Sequence, residues 1–418
     1  MKFFFPDSHD SVDPSFDFEL ETRAEFRIRQ RDDQYAHEVF ADPPFDGVLV
    51  SKAIVDGSGS GSGKYSLAQR HRLFRLGVRG FLRLDERLGG RRLSTLGDCG
   101  AFSYVREEQP PFTIDEVLQF YTLCGFDQGI SVDHVILDYF PLGERLDDAR
   151  MRQSITLALG DDFLRTHRSQ GCGFEPLGVA QGWSPASYAD AVDKLQRMGY
   201  DAIALGGMVP LRTPDILACL EAVSTVRHRG TRLHLLGVTR CDHVLEFQGY
   251  GVTSFDSTMP LLQAFKDARD NYHTMARSYV ALRVPQVQGN PRLQRRIAAG
   301  QVNQEQARAL EQASLRALRD YDVGHAEIDD ALEPLLAYER IHDEKADRRR
   351  AYRETLEARP WKECPCEICR ALGIHVIIFR GAERNRRRGF HNLTVLYERL
   401  HQELAGTRTR RPALAVVR

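Results

Sequence analysis

Cys364-Pro365-Cys366-Glu367-Ile368-Cys369 places three thiols within six residues of a 418-residue chain, and histidines follow at 375 and 391. With His391 the pattern is C-x-C-x2-C, then 21 residues (391 − 369 − 1), then His. Three soft thiolates and one imidazole complete a tetrahedral zinc shell with no position left for water. A closed shell of this kind supplies folding energy rather than chemistry, because the unfolded chain holds no site. Cys364, Cys366, Cys369 and His391 are therefore the expected ligands of a structural Zn2+, with His375 as the competing fourth. The other five of the eight cysteines are scattered singly, which suits a reducing cytoplasm better than a disulfide framework.

Upstream of the thiols the chain alternates. Short apolar runs recur at Phe45–Val55, Val78–Leu84, Leu93–Gly97, His134–Leu137, Leu177–Ala180, Ala202–Leu205, Leu233–Val238 and Val252–Phe255, with helix-length segments between several of them. Ser184-Pro185 leads into Tyr188–Met198, apolar at 188, 191, 192, 195 and 198, and Asp215–Val226 behaves likewise. Eight strand–helix units predict an α/β fold, a (β/α)8 TIM barrel, over 45–269. A doubly wound sheet is the alternative, but no G-x-G-x-x-G follows an early strand. Residues 1–44 read as an N-terminal extension and 270–360 as a helical insertion, with long amphipathic helices at Gln301–Tyr321 and Ala331–Leu356. The zinc-binding subdomain would then occupy 361–406 and a basic tail 407–418. Gly57-Ser58-Gly59-Ser60-Gly61-Ser62-Gly63-Lys64 resembles a phosphate loop, but Ser58 and Tyr65 stand where a P-loop needs Gly and Ser/Thr. It reads as a flexible barrel loop.

Hydrophobic residues make up 42% and charged residues 28%, as in a globular protein, and no run of eighteen apolar residues exists to span a membrane. Net charge is −1, yet it is unevenly spread. Residues 1–44 hold five Lys/Arg against eleven Asp/Glu, net −6, and residues 370–418 hold eleven Arg against three Glu, net +8. An Arg-rich end, above all Arg384-Asn385-Arg386-Arg387-Arg388, is the footprint expected of phosphate binding.

Barrels carry their chemistry at the C-terminal ends of the strands. Just past the candidate strands stand Asp98, Asp138, Gln181-Gly182, Gly206-Gly207, Gly237 and Asp256. Two carboxylates facing one anomeric carbon perform glycosyl transfer: one attacks, the other protonates the leaving group. A further Asp, a Gln and exposed backbone can read the hydrogen-bonding edge of a purine.

Leu96-Gly97-Asp98-Cys99-Gly100-Ala101-Phe102 is similar to the T-D-S-G-G-F/Y motif of the tRNA-guanine transglycosylases. Gly178–Gly182 is similar to their G-I-V-Q-G, Gly199–Gly207 to G-F/Y-D-G-Y-A-I-G-G, Leu235–Val238 to L-M-G-V, and Gly251–Pro260 to G-x-D-x-F-D-C-V-x-P. The thiol cluster followed by His391-Asn392-Leu393 completes the resemblance and selects His391 over His375. The resemblance implies Asp256 as nucleophile, Asp98 as general acid/base, and Asp138, Gln181, Gly206 and Gly207 as readers of the base. Phe102 and Leu236 would cover its two faces. It also implies a flipped-out target nucleoside and leaves a homodimer through the zinc region open.

Two departures bear on substrate. Leu261-Leu262-Gln263 stands where the tRNA enzymes place Thr-Arg, and Met208-Val209-Pro210-Leu211-Arg212 replaces an L-A-V-G-E whose Glu serves a cationic aminomethyl base. The chain thus resembles the DNA-acting branch, DpdA, which implies exchange of guanine in DNA for 7-cyano-7-deazaguanine (preQ0), with partner proteins of a DNA-modification cluster. The alternatives are a tRNA-guanine transglycosylase with divergent tRNA recognition and a non-catalytic nucleic-acid-binding subunit.

Overall fold

The computed structural model describes residues 1–58, 61–84, 90–140, 147–266, 269–343, 345 and 347–406. Eight parallel strands close on themselves in chain order: β1 (Lys2–Pro6), β2 (Gly47–Ser51), β3 (Ser94–Asp98), β4 (Gln128–Ile130), β5 (Glu175–Ala180), β6 (Ala202–Leu205), β7 (Arg232–Leu235) and β8 (Val252–Asp256). The ring shuts where β1 pairs β8, Phe3 opposite Phe255. Six strands contribute buried side chains to its interior, from Phe4 and Leu49 through Leu96, Ile130, Leu177 and Val179 to Ala202 and Ala204. Among the described residues, no helix is long and apolar enough to cross a membrane.

The barrel expected from the sequence is present, with three strand placements corrected. β1 lies inside the stretch read as an extension before residue 45. Val78–Leu84, expected as a strand, belongs instead to the end of α1 (Leu67–Phe81) and the turn after it. Its buried residues Val78, Phe81 and Leu82 stand at i, i+3 and i+4, which is helical spacing rather than alternation. His134–Leu137 carries no ladder; the fourth strand is Gln128–Ile130, only three residues long and containing Gln and Gly. The outer helices keep their sequence signals. α2 (Ile114–Cys124) opens on a Thr113/Glu116 capping box, and α4 (Pro185–Met198) on a Ser184 cap with Pro at its first turn. α3 (Asp147–Gln170) and α5 (Thr213–Ser224) complete that layer. In the Gly/Ser-rich loop, Gly57-Ser58 pairs with Gly61-Ser62 as a short antiparallel hairpin, and Gly59-Ser60 lies outside the described residues.

The contacts divide the chain into two compact units, one of 1–9, 45–258 and the residues from 399 on, the other of 10–44 and 259–398. The second unit holds α6 (Pro291–Ala298), α7 (Gln304–Asp322), α8 (Ile328–His342), α9 (Arg349–Ala358) and most of α10 (Gly381–Leu404). The expected long helix Ala331–Leu356 is therefore two helices. The 10–44 stretch and the thiol cluster belong to this same unit rather than to separate bodies. The basic tail 407–418 lies outside the described residues.

The arginine cluster on α10 is not a phosphate footprint. Arg384, Arg387 and Arg388 are buried. Arg384 donates to Glu21 and to the Phe18 carbonyl, Arg387 to Glu383 and to the Asp13 carbonyl. Arg388 donates to the carbonyls of Val376, Ile378 and Ala264 and to Asn385 Oδ1. The acidic 10–44 stretch thus meets the guanidiniums of Arg384 and Arg387 inside its own unit, so opposite charges that are far apart in the sequence are paired there.

Candidate active site

Closure of a parallel barrel brings every strand's C-terminal end to one mouth. Asp98 ends β3 and Asp256 ends β8, while Gln181, Gly206 and Leu236 immediately follow β5, β6 and β7. Asp256 is nearly buried, and its Oδ1 accepts from the Gly237 backbone N–H at 3.0 Å and faces His234 Nε2 at 3.2 Å. An ionised carboxylate only accepts, so the ring nitrogen facing it carries the proton; Nδ1 is then left to accept from the Ser254 hydroxyl at 2.9 Å. Oδ1 is tied twice, and Oδ2 has no protein partner among the described residues.

Asp98 lies in a harsher setting. Burial, and then the neighbouring charges of Asp133 and Asp256, push its carboxyl up to about 8, against weaker opposition from the backbone N–H groups of Gly100 and Cys99. Asp98 is therefore protonated at neutral pH. A carboxyl that keeps its proton among other carboxyls at one mouth is able to act as a general acid.

Asp138, the expected reader of the base, is not brought into this cluster, and a different carboxylate is. Asp138 is exposed on the loop after β4, whereas Asp133 is buried beside Gln181. Gln181 Nε2 donates to Asp133 Oδ2 at 2.7 Å, and Gln181 Oε1 accepts from the Ile136 N–H at 3.1 Å. Asp133 Oδ1 faces Cys99 Sγ at 3.1 Å, and the Tyr104 hydroxyl lies 3.0 Å from that sulfur. Burial raises Asp133 to about 6, with the hydrogen bonds from Cys99 and Gln181 pulling it back. The difference follows from the strand reading: with β4 set six to seven residues too late, the first carboxylate past its end was Asp138. His234 was missed as well. The signal was there, since the histidine between Leu233 and Leu235 breaks an apolar strand that lines the barrel.

Gly206 and Gly207 hold the β6 corner. Gly206 donates its N–H to the Ala180 carbonyl at 3.0 Å and accepts from the Tyr188 hydroxyl at 2.7 Å. A Cβ on Gly206 would meet Gln181 Nε2 at 2.1 Å; one on Gly207, whose φ is +70°, would meet the Ile136 carbonyl oxygen at 2.2 Å. Phe102 sits exposed on the helical turn Ala101–Tyr104 after β3, and Leu236 is partly buried against the barrel interior.

The thiol cluster forms a separate centre, in the second unit. Ligand atoms of Cys364, Cys366, Cys369 and His391 lie within 4.8 Å of one another, positioned to bind a metal ion. His391 Nδ1 faces the three sulfurs at 3.4–3.5 Å. The other ring nitrogen, Nε2, is 2.7 Å from the His273 carbonyl, which can only accept, so it bears the proton and leaves Nδ1 free to ligate. The Tyr272 ring stacks on His391 with centroids 4.1 Å apart, and its hydroxyl lies 3.1 Å from Cys369 Sγ. His375, the competing ligand, instead faces Glu19 at 3.4 Å and Arg384 at 3.4 Å.

No family model matches the chain. A relative from Salmonella montevideo, named DNA-guanine transglycosylase, is 51% identical over 414 residues, covering 97% of this chain and 98% of its own length.

Gly207→Ala should destabilise the fold by about 2 kcal/mol or more, since a left-handed φ costs about 1–2 kcal/mol and the colliding atom is backbone. Urea unfolding measures this; a midpoint equal to that of the unaltered protein would show that the corner relaxes freely.

Proposed function

The chain belongs to the DNA-guanine transglycosylases, and on that premise we propose that it exchanges guanine in DNA for preQ0 by double displacement through a covalent enzyme–sugar intermediate. It is a glycosyltransferase of the guanine transglycosylase class. The observation that carries the mechanism is the pairing of an Asp256 with one untied oxygen and an Asp98 held protonated.

In the first displacement, Asp256 Oδ2 attacks C1′ of a flipped-out deoxyguanosine. The C1′–N9 bond breaks, its electron pair leaves with the guanine, and Asp98 gives the departing base a proton. The Gly237 N–H and His234 fix the other oxygen, so the attacking atom needs no reorientation. In the second displacement, ionised Asp98 takes the N9 proton of preQ0, N9 attacks C1′, and the ester to Asp256 breaks. Two inversions give net retention.

Guanine and preQ0 both present an N1–H and an exocyclic amine, donors that an ionised Asp133 accepts. Gln181 aims that carboxylate and keeps one Nε2 hydrogen for the base's O6. Gly206 and Gly207 complete the reading edge with their backbone, and Phe102 and Leu236 cover the faces. Arg212 stands where a carboxylate would favour a cationic substituent, and this supports a neutral nitrile. DNA as the nucleic acid rests on the relative's name and on the Leu261-Leu262-Gln263 stretch.

The metal at Cys364, Cys366, Cys369 and His391 is, in this reading, zinc. Three thiolates and an imidazole suit it, and four protein ligands leave no open position for catalysis. It would cross-link the loop around Cys364 to α10.

Incubation with preQ0 and duplex DNA, followed by digestion to nucleosides and mass analysis, should yield the 7-deazaguanine product from DNA and not from bulk tRNA. Asp256→Asn should abolish both product and covalent DNA adduct, and an adduct surviving that change sinks the nucleophile assignment. The kcat/KM for guanine release should fall as pH drops through about 6, where Asp133 gains a proton, and fall again above about 8, where Asp98 loses one. A flat profile between pH 5 and 9 excludes both roles. Metal analysis should find about one zinc per chain, and stripping it with a chelator should lower Tm by several degrees. An unchanged Tm would mean that the four ligands do not brace the fold.

A further inference from the structure

One hydroxyl at the barrel mouth stands beside Asp98 without a partner. Ser51 closes β2, and in the parallel ladder with β3 its Cα partner is Asp98. Two residues earlier the same ladder pairs Leu49 with Leu96, and both of those side chains belong to the buried interior of the barrel. Side chains alternate along a strand, so Ser51 and Asp98 share that inward face one step nearer the mouth, on strands about 4.8 Å apart. Lys52, the next residue, is engaged elsewhere: its Nζ is 2.6 Å from Asp56 Oδ2 and lies over the rings of Phe112 and Phe120.

Ser51 is more than nine-tenths buried, and its Oγ has no hydrogen-bond partner among the described residues. A buried hydroxyl left unpaired costs the free energy of its desolvation, and native folds leave few of them. The backbone nearby makes room for it. A Cβ on Gly100 would meet Ser51 Oγ at 2.2 Å, so a side chain there would displace the hydroxyl. The N–H of that same Gly100, with the N–H of Cys99, donates to the Asp98 carboxyl. The hydroxyl therefore rests against the turn that grips Asp98.

We propose that Ser51 is a positioning residue for Asp98, its hydroxyl donating to the Asp98 carboxylate once the acid has given its proton to the departing base. This rests on the reading of Asp98 as general acid/base. A protonated carboxyl is neutral and draws a hydroxyl weakly; an ionised one accepts a short, charge-assisted bond, roughly twice as strong. The staggered wells of Ser51 χ1 give the hydroxyl alternative directions on a fixed strand. No proton leaves Ser51. The N9 proton of incoming preQ0 returns to Asp98, and the hydroxyl is released. The other titratable groups within electrostatic reach of Asp98 are Asp133 after β4, Asp256 at the end of β8, Cys99, Tyr104 on the turn after β3 and Tyr121 on α2. All are acids, so none offsets a negative Asp98, and His234 faces Asp256 instead. A neutral donor is what that face can offer.

Ser51→Ala tests the pairing, with Ser51→Thr as the variant that keeps the hydroxyl. In the full-length protein carrying isotope-labelled aspartate, free of DNA and preQ0, the Asp98 carboxyl resonance is the one missing from Asp98→Asn. Its midpoint, about 8 in the unaltered protein, should rise by about one pH unit in Ser51→Ala, because a donor to the charged form is gone, and should stay in place in Ser51→Thr. The alkaline limb of kcat/KM for guanine release should rise with it, a roughly tenfold change in proton affinity. Removal of an unpaired hydroxyl should not lower the Tm of Ser51→Ala; a clear drop would mean that the hydroxyl is already engaged, and would count against the proposal. An Asp98 midpoint unchanged in Ser51→Ala, or displaced equally in Ser51→Thr, overturns it, the latter because packing rather than the hydroxyl would be responsible. If the midpoint responds as expected while the unaltered protein exchanges no base, the function fails and the pairing stands.

Discussion

Desolvation at the mouth of a closed barrel is the constraint on which the site depends. A carboxyl at a strand end is ordinarily solvated and ionised. Closure brings Asp98, Asp133 and Asp256 to one face where water is scarce, and three negative charges cannot share that space without cost. The structure resolves the conflict unequally. Asp133 and Asp256 are given hydrogen-bond donors, from Gln181 and Cys99 in one case and from Gly237 and His234 in the other. Asp98 has only weak backbone help and keeps its proton. Distribution of donors, rather than residue type, sets these three carboxyls apart from one another.

The second unit solves a related problem with the opposite charge. Guanidiniums of Arg384, Arg387 and Arg388 are inside, and each is met by carboxylates or carbonyl oxygens from the 10–44 stretch, the 259–264 segment or α10's own surroundings. Arg384 and Arg387 also lie over the Phe18 ring, at 5.3 and 5.0 Å from its centroid. The acidic stretch is therefore part of that unit's interior. It is not a tail awaiting a partner.

What could be read from the chain followed physical distinctness. The thiol cluster was legible because three soft ligands in six residues have few other uses, and His391 because its sequence neighbours matched a known pattern. The barrel was legible through β5, β6 and β8, whose runs are apolar and bounded by turns. β1 and β4 were not. Lys2–Pro6 is acidic-flanked and far from its partners, and Gln128-Gly129-Ile130 has one apolar side chain in three. A three-residue strand is held by its neighbours' ladders, so its own sequence carries almost no period. That one strand reading pointed to exposed Asp138 and passed over Asp133, the carboxylate buried beside Gln181. The arginine cluster misled for a different reason, since sequence counts charge but does not show which face of a helix is covered.

The pairing of β1 with β8 bears on how the chain is made. Phe3 finds its neighbour Phe255 only after 252 further residues (255 − 3) have been synthesised. At roughly 5–20 residues per second, that edge of β1 stays open on the ribosome for on the order of ten seconds or more. During that interval a Phe-Phe-Phe strand presents bare amides and carbonyls to anything that can add a strand beside it. The nascent chain is therefore open to misassembly before Asp98 and Asp256 have met, and a chaperone that shields the first strand would protect the whole ring.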